Sequence, residues 1–419
     1  MNDWKESLVR YFTEGIKEEA SSCLGVEVEH FIIDKTNQRA VPYSGESGVR
    51  QILYRLMERY PNARVLPDDG FFGFSVPEFT ITLEPAAQLE ISITATDSIR
   101  RIGEIYRGFS QNLSEVLAPL GYTAFNAGCV PVGDITQTEQ IPKRRYDLMN
   151  AHFKGFGTGG AEMMRGTASL QVSIDYSSQE DFRDKIHAAY YYAPIFKLLC
   201  DHSPVYQGQP VRTHLKRTDI WRRTDHARCG ILPGIFSETY GFEDYARFLG
   251  DMPPIFLKRG QIITPTGSQT VAELFEGKAL SENDITHIIS MAFPDVRLKK
   301  YLEIRVADSV PYPFMLAYCA LIKGLLYSEA GLSYAHEQVR VNQMTQDDVL
   351  RAEDDLMARG WSGNVYGLSA AELTEKLLQL ARDNLSADEA ALLEAFDAVI
   401  RWGGIQNIPR DAYVAVCRA

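Results

Sequence analysis

The chain has 419 residues, 45% hydrophobic and 23% charged, which is enough apolar material for one large or two ordinary folded domains. Its 43 basic and 55 acidic residues leave a net charge of -12, which argues against non-specific binding to nucleic acid. The same charge is compatible with a nucleotide held through a divalent cation, because such an ion inverts the local electrostatic logic.

The cysteines Cys23, Cys129, Cys200, Cys229, Cys319 and Cys417 are scattered, with no C-x-x-C pair. This predicts reduced thiols in a cytoplasmic protein, not a disulfide framework or a zinc site. The first residues lack the apolar region of a signal peptide. The longest apolar run, Phe314 to Ile322, is too short to span a bilayer, so no membrane partner is expected.

Residues 1–22 read as a short helix, with Trp4, Leu8, Phe12 and Ile16 at helical spacing. Gly25 to Ile33 reads as a strand, with Val26, Val28 and Ile32 on one face and Glu27 and Glu29 on the other. Residues 47–60 are expected to be helical. Thr82 to Ile93 then forms two short strands around Pro85-Ala86-Ala87. In the second, Leu89, Ile91 and Ile93 share one face and Gln88, Glu90 and Ser92 the other, with Glu84 just before the break. Carboxylates and an amide opposite an apolar face predict a site that needs negative charge and oxygen ligands. Asp97 is placed to cap a helix running to about Leu120, Gly121 ends it, and a strand Tyr122–Asn126 follows.

Gly155 to Gly160 matches G-x-G-x-x-G. A dinucleotide motif follows a strand and opens a helix; this one follows a predicted helical turn at Tyr146–Phe153, so it reads as a mobile loop. Thr167 to Tyr176 alternates, with Leu170, Val172 and Ile174 opposite Ser169, Gln171, Ser173 and Asp175. Ser178 caps a long helix to about Cys200. Residues 211–237 read as loops and short strands, and place Arg217, Arg222, Arg223 and Arg228 within twelve positions. The cluster predicts an anion site, with surface ion pairs as the alternative. Helices are expected at 241–250 and 281–292. A strand from Tyr301 sets Leu302, Ile304 and Val306 against Glu303 and Arg305. From 313 onward the chain reads as mostly helical, with Thr345 and Ser369 as caps and Gly360 as a stop. The eight histidines show no ligand spacing; His152, beside the glycine-rich loop, is the one remote candidate.

Four strands thus carry polar faces: Glu27 with Glu29, Gln88 with Glu90 and nearby Glu84, Gln171, and Glu303 with Arg305. A curved antiparallel sheet would gather these faces into one hollow, with helices over the apolar side. Five glutamates crowded together repel and take up protons unless cations relieve them. Mg²⁺ prefers such oxygen donors, and arginines nearby hold phosphate or carboxylate. This reading predicts a Mg-nucleotide enzyme, and both kinase and ligase chemistry fit it.

Six segments, in order, resemble the glutamate–cysteine ligases of the plant and proteobacterial type: Gly25–Glu29, Leu83–Ser92, Lys143–Tyr146, Met163–Asp175, Arg217–Pro233 and Phe293–Asp308. The resemblance implies a glutamine synthetase-like α+β fold, a curved antiparallel β-sheet funnel covered by helices with a helical C-terminal part. It implies a single catalytic domain over 1–419, with 25–330 the family-like core and about 331–419 a helical extension packed on it. ATP is the implied co-substrate, Mg²⁺ (or Mn²⁺) the metal, and L-glutamate and L-cysteine the small-molecule partners of a monomer or homodimer. By the same resemblance Glu27, Glu29, Glu84, Glu90 and Glu303 hold metal, and Gln88, Gln171, Trp221, Thr224 and Arg228 contact substrate or ATP. Arg145, Arg217 and Arg305 are the catalytic cations. The implied reaction makes γ-glutamylcysteine through a γ-glutamyl phosphate. The alternatives are the same chemistry with another amine, or a small-molecule kinase of the same superfamily. The chain departs from the family pattern after Arg305, where it reads Val306-Ala307-Asp308-Ser309, and at Arg165, which falls one residue early and is expected on the opposite face of a strand.

Overall fold

A computed structural model of the chain describes residues 3–17, 22–67, 70–157, 159–260 and 262–416. Its main sheet has nine strands. In chain order they are β1 (Leu24–Asp34), β2 (Arg64–Val65), β3 (Gly73–Val76), β4 (Phe79–Leu83), β5 (Leu89–Thr96), β6 (Tyr122–Phe125), β7 (Ser169–Ile174), β8 (Val296–Leu298) and β9 (Leu302–Asp308). Their spatial order is β8-β9-β7-β1-β5-β4-β3-β2, and β6 pairs with the far end of β1. Every pairing is antiparallel.

The two-residue side-chain period of a strand explains this arrangement. On β1, β5, β7 and β9, alternate residues such as Val26, Val28, Leu89, Ile91, Leu170, Val172 and Ile304 are fully buried. The helices Ile99–Leu117, Gln179–Leu199 and Tyr312–Leu326 pack over that apolar side. The polar residues in between are thereby turned to the opposite side.

The helices begin where short polar side chains satisfy free backbone amides. The Ser178 hydroxyl accepts from Asp181 N at 2.9 Å and starts the 21-residue helix Gln179–Leu199. Ser98, not Asp97, caps the helix Ile99–Leu117, accepting from Arg101 N at 3.2 Å. Gly121, at φ 73°, ends the turn that follows, a left-handed conformation that glycine adopts at no steric cost. The later helices Glu329–Val341, Gln346–Arg359, Ala370–Arg382 and Glu394–Trp402 join the same apolar core. Lys197, buried in the long helix, bonds Asp295 at 2.6 Å and Glu353 at 2.5 Å, tying the Gln346–Arg359 helix to the segment leading into β8.

Several expectations are corrected. The 211–237 region contains a helix, Lys216–Arg222, whose lead-in residue Leu215 sits at φ 52°. The glycine-rich stretch is not a loop throughout, because Gly159 and Gly160 open the helix Gly159–Gly166. A Cβ at Gly159 would come within 2.2 Å of the Arg223 carbonyl, and one at Gly160 within 2.3 Å of Phe153, so these glycines permit close packing. The first helix is Trp4–Thr13, shorter than 1–22. Residues 18–21, Thr158 and Cys417 lie outside the described residues. Among those described, no single helix is long and apolar enough to cross a membrane.

Gly324 gives a test in which packing opposes helix propensity. Replacing glycine by alanine inside a helix ordinarily stabilises it by about 1 kcal/mol. A Cβ at Gly324, however, would sit 2.8–2.9 Å from the backbone of Ala381 on the neighbouring helix. Gly324→Ala is therefore expected to lower stability by about 1–3 kcal/mol in denaturant unfolding, and a stabilised variant would contradict this packing.

Candidate active site

β1 carries the central pair of carboxylates. Glu29 lies opposite Glu90 of β5, and Glu27 lies between Ser92 of β5 and Gln171 of β7. Like charges directly opposite one another weaken a sheet unless something compensates them. Glu84 comes from the tight turn between β4 and β5. There Glu84 N donates to the Gln88 carbonyl at 2.9 Å, Ala87 N donates to the Glu84 carbonyl at 2.8 Å, and Ala87 is held at φ 62°. Positive φ is uncommon for a residue with a Cβ. Gln88 locks this turn: its Oε1 accepts from Ala86 N at 2.8 Å and its Nε2 donates to the Thr167 carbonyl at 3.0 Å.

A bulge in β9 aims Arg305. Ile304 pairs with Val172 and Ala307 with Leu170, so Arg305 and Val306 together oppose Gln171. Arg305 Nη1 donates to Gln171 Oε1 at 2.5 Å and to Glu303 Oε2 at 2.8 Å. Past the bulge the strand's parity flips, and Asp308 becomes the partner of Ser169. Glu303 itself is fully buried and also accepts from Arg297 at 2.6 Å and Lys299 at 2.5 Å. Burial works against its ionisation, but these three cations hold its carboxyl well below the usual range.

The other four glutamates lack that compensation, and burial raises all of them. Glu303 adds to the rise at Glu27, and Glu27, Glu84 and Glu29 add to it at Glu90. At Glu29 the rise is opposed by Arg217 and by Ser169, whose N and Oγ donate to it at 2.7 and 3.0 Å. Burial, then Glu29, pushes Glu84 up to about 7. Cations stand across from them. Arg145 is fixed on Ser290, donating to its Oγ at 2.9 Å and its carbonyl at 2.5 Å. Arg217 donates to the Arg305 carbonyl at 3.2 Å and lies 5.6 Å from the Trp221 ring centre.

These groups enclose a cavity of about 570 Å³. Glu27, Glu29, Glu84, Gln88, Glu90, Arg145, Gln171, Arg217, Trp221 and Arg305 all line it. Three other expected residues do not. Glu303 is sealed beneath the wall by its cations. The Thr224 hydroxyl donates to the Trp221 carbonyl. Arg228, 1% exposed, donates to Asp225, to the Met291 carbonyl and to the Pro253 carbonyl at 2.6, 3.2 and 2.7 Å, which makes it a fastener of the surrounding loops. Of the four clustered arginines only Arg217 reaches this cavity; Arg222 pairs with Asp354 and Arg223 with Glu162. His152 bonds Asp225 at 2.8 Å and has no place on the wall. Arg165 lies on a helix, not a strand, and donates to Asn150 at 3.0 Å.

Sequence reasoning assigned no role to Arg297, Lys299, Tyr301 or Tyr11, which also line the cavity. The alternation of Val296 and Leu298 with Arg297 and Lys299, facing a second alternating run, was a usable signal for a hairpin that sets Arg297 opposite Glu303. Tyr11, contributed by the first helix, had no such signal. The uncompensated donors are all carboxylate oxygens spread over one wall. Among the described residues no three of them converge as a ready-made metal cage, so a hard cation here would need waters and substrate phosphate to complete its shell.

Residues 23–407 match the model of glutamate-cysteine ligase family 2 (GCS2). Glutamate–cysteine ligase A, chloroplastic, from Oryza sativa subsp. indica is 29% identical over 416 residues, covering 95% of this chain and 82% of that protein. Glutamate–cysteine ligase, chloroplastic, from Arabidopsis thaliana is 28% identical over 409 residues, covering 95% and 77%. In fold, the chain is similar to the crystal structure of the Francisella tularensis glutamate–cysteine ligase in complex with AMP, with a TM-score of 0.51, 11% identity and coverage of 96% and 86%.

The crowding sets a pH dependence. A carboxyl whose pKa rises on folding stabilises the fold while protonated. For Glu84 that contribution is complete below 4.5 and lost as pH climbs through about 7. A divalent cation bound among these carboxylates would reverse the loss by replacing protons. Added Mg²⁺ should therefore raise the thermal midpoint more at about pH 8 than at about pH 6. Glu90→Gln should raise the metal-free midpoint at the higher pH and shrink the Mg²⁺ increment. Equal increments at both pH values would refute the assignment.

Proposed function

The chain belongs to glutamate-cysteine ligase family 2, and from that premise we propose that its cavity joins the γ-carboxylate of L-glutamate to the amine of L-cysteine while ATP is cleaved to ADP and phosphate. The protein is a ligase that uses ATP as co-substrate and acts on small molecules. The family match does not favour another amine or a kinase reaction. One observation supports the assignment of this cavity above the rest: four uncompensated carboxylates share it with Arg145, Arg217 and Arg305.

We assign Mg²⁺ to Glu27, Glu29, Glu84 and Glu90. Bound there, it would neutralise charge on the phosphoryl group in transfer. Glu303, with both oxygens taken by cations, is better supported as the anchor that aims Arg305. In this reading the γ-carboxylate oxygen of glutamate attacks the γ-phosphorus of ATP and ADP leaves. Arg305, braced between Glu303 and Gln171, faces the equatorial oxygens. Arg145 and Arg217, each held by backbone carbonyls, hold carboxylate or phosphate without having to reorganise. The cysteine nitrogen then attacks the acyl carbon of γ-glutamyl phosphate and phosphate departs. No side-chain nucleophile is required. A second chamber of about 570 Å³ shares Arg217, Trp221, Phe293 and Arg305 with the first and offers the amine a separate approach. Thr224, through its bond to the Trp221 carbonyl, steadies that shared wall.

Residues 1–419 are read as a single catalytic unit, supported by the common core and by the reach of Glu353 to Lys197. A cytoplasmic location is supported by the unpaired thiols of Cys23, Cys129, Cys200, Cys229 and Cys319; the plant relatives are chloroplastic by name.

ADP release should require glutamate and cysteine together, and AMP as product would rule out the acyl-phosphate route. Glu29→Gln and Arg305→Lys should each lower kcat by about 100-fold or more with the fold retained. Near-normal turnover in both variants would remove the cavity from the reaction.

A further inference from the structure

One corner of the catalytic cavity has no part in the reaction as assigned above, and the strand registers locate it. Leu83 pairs with Leu89, which also pairs with His30, whereas Leu302 pairs with Ile174, which also pairs with Leu24. Glu84, just after β4, and Tyr301, just before β9, therefore stand at diagonally opposite corners of the polar face. Four strand intervals separate β4 from β9, roughly 19 Å measured along the sheet. Both residues line the same cavity, so it runs the length of this diagonal.

The two corners differ in chemistry. Gln88, Lys143 and Arg145 share the Glu84 end, while the other end is walled by the rings of Tyr11 and Tyr301, with Lys299 beside them. Lys299 donates to Glu303 at 2.5 Å and to the Tyr301 hydroxyl at 3.2 Å. These bonds use two of the three N–H groups of its ammonium and leave one for a ligand.

Tyr11 belongs to the helix Trp4–Thr13, and the family match begins only at residue 23. The helix is nevertheless built into the wall. The Tyr176 hydroxyl donates to the Phe12 carbonyl at 2.6 Å and lies 3.2 Å from the Lys299 carbonyl, which joins the helix to the β8–β9 hairpin. Ser7 Oγ accepts from Leu280 N at 3.1 Å. Lys300, bonded to Glu14 and Glu282 at 3.1 and 3.2 Å, sets its ammonium 4.8 Å from the centre of the Tyr11 ring. A ring held this way loses little freedom when a ligand lies against it.

Glutamate and cysteine have no flat apolar surface to set against two rings. A nucleoside triphosphate has one, joined to a polyanion that must reach the carboxylates assigned to Mg²⁺. We propose that the base of the nucleotide lies against Tyr11, with Lys299 meeting its phosphates, so that a helix outside the family match supplies part of the ATP site. The proposal rests on the ATP-dependent reading above and adds to it the orientation of the nucleotide, base at the tyrosine corner and γ-phosphate toward Glu27 and Glu29.

The test titrates the magnesium complex of a non-hydrolysable ATP analogue into the full chain by calorimetry. Tyr11→Ala should weaken it about tenfold or more, and Tyr11→Phe, which keeps the ring, should bind within about threefold of the native chain. In steady-state assays Tyr11→Ala should raise KM for ATP by a similar factor, with KM for glutamate and for cysteine within about twofold. Should Tyr11→Ala fail to fold, hydrogen exchange on the native chain decides: the analogue should slow the amides of Trp4–Thr13, and unchanged exchange would count against the contact. Equal affinity in Tyr11→Ala and the native chain, an equal loss in Tyr11→Phe, or a KM rise confined to glutamate or cysteine would each overturn the proposal and leave the ATP reading standing. An analogue that does not bind the native chain would remove that reading and this proposal with it.

Discussion

Repulsion among carboxylates crowded into one hollow is the constraint that organises this molecule. Glu29 and Glu90 face each other across two adjacent strands, with Glu27 and Glu84 close by, in a cavity that water screens poorly. Among the described residues no salt bridge pairs any of the four with a cation of its own. Their crowding favours bound protons or added cations, and the other face of the sheet is packed with fully buried aliphatic side chains. The charge is concentrated on the side of the sheet opposite the helices Ile99–Leu117, Gln179–Leu199 and Tyr312–Leu326.

The treatment of Glu303 shows the contrast. One buried carboxylate receives Arg297, Lys299 and Arg305, which leaves a local excess of positive charge beside a local excess of negative charge. Neighbouring strands therefore carry opposite fields across a single hollow. The magnesium–nucleotide complex proposed for this cavity would meet both fields at once. The bulge at Arg305 and Val306 is the backbone device that permits this, because a regular ladder would not bring the guanidinium against Gln171 and Glu303 together.

Much of this was legible in the residues, and the reason is periodicity. β1, β5, β7 and β9 each set aliphatic residues against polar ones at a spacing of two, so both the sheet and the sign of its exposed face could be read directly. The helical course after residue 313 and the caps at Ser178 and Ser369 were equally plain. What stayed hidden depends on contacts distant in sequence. Arg217 and Arg228 stand in one arginine-rich stretch and look alike, yet one faces the cavity and the other is consumed by Asp225 and two carbonyls. Asp97 and Ser98 are adjacent and equally able to cap a helix; only the geometry of the turn chooses between them. Gly159 and Gly160 suggested mobility, whereas they are small because Arg223 and Phe153 press against them. A bulge has no side-chain signature at all.

The buried link from Lys197 to Asp295 and Glu353 bears on how far this protein can be trimmed. A fragment ending at residue 330 would keep every strand of the main sheet and every residue that lines the first cavity. It would also strip one of the two counter-charges from a lysine held inside the long helix, leaving Asp295 as its partner. Asp295 in turn accepts the backbone N–H of Arg305 through its carbonyl, so the charge pair is joined to the strand that carries that arginine. A cut made far from the cavity would therefore be felt beside one of its arginines, through Lys197 and Asp295.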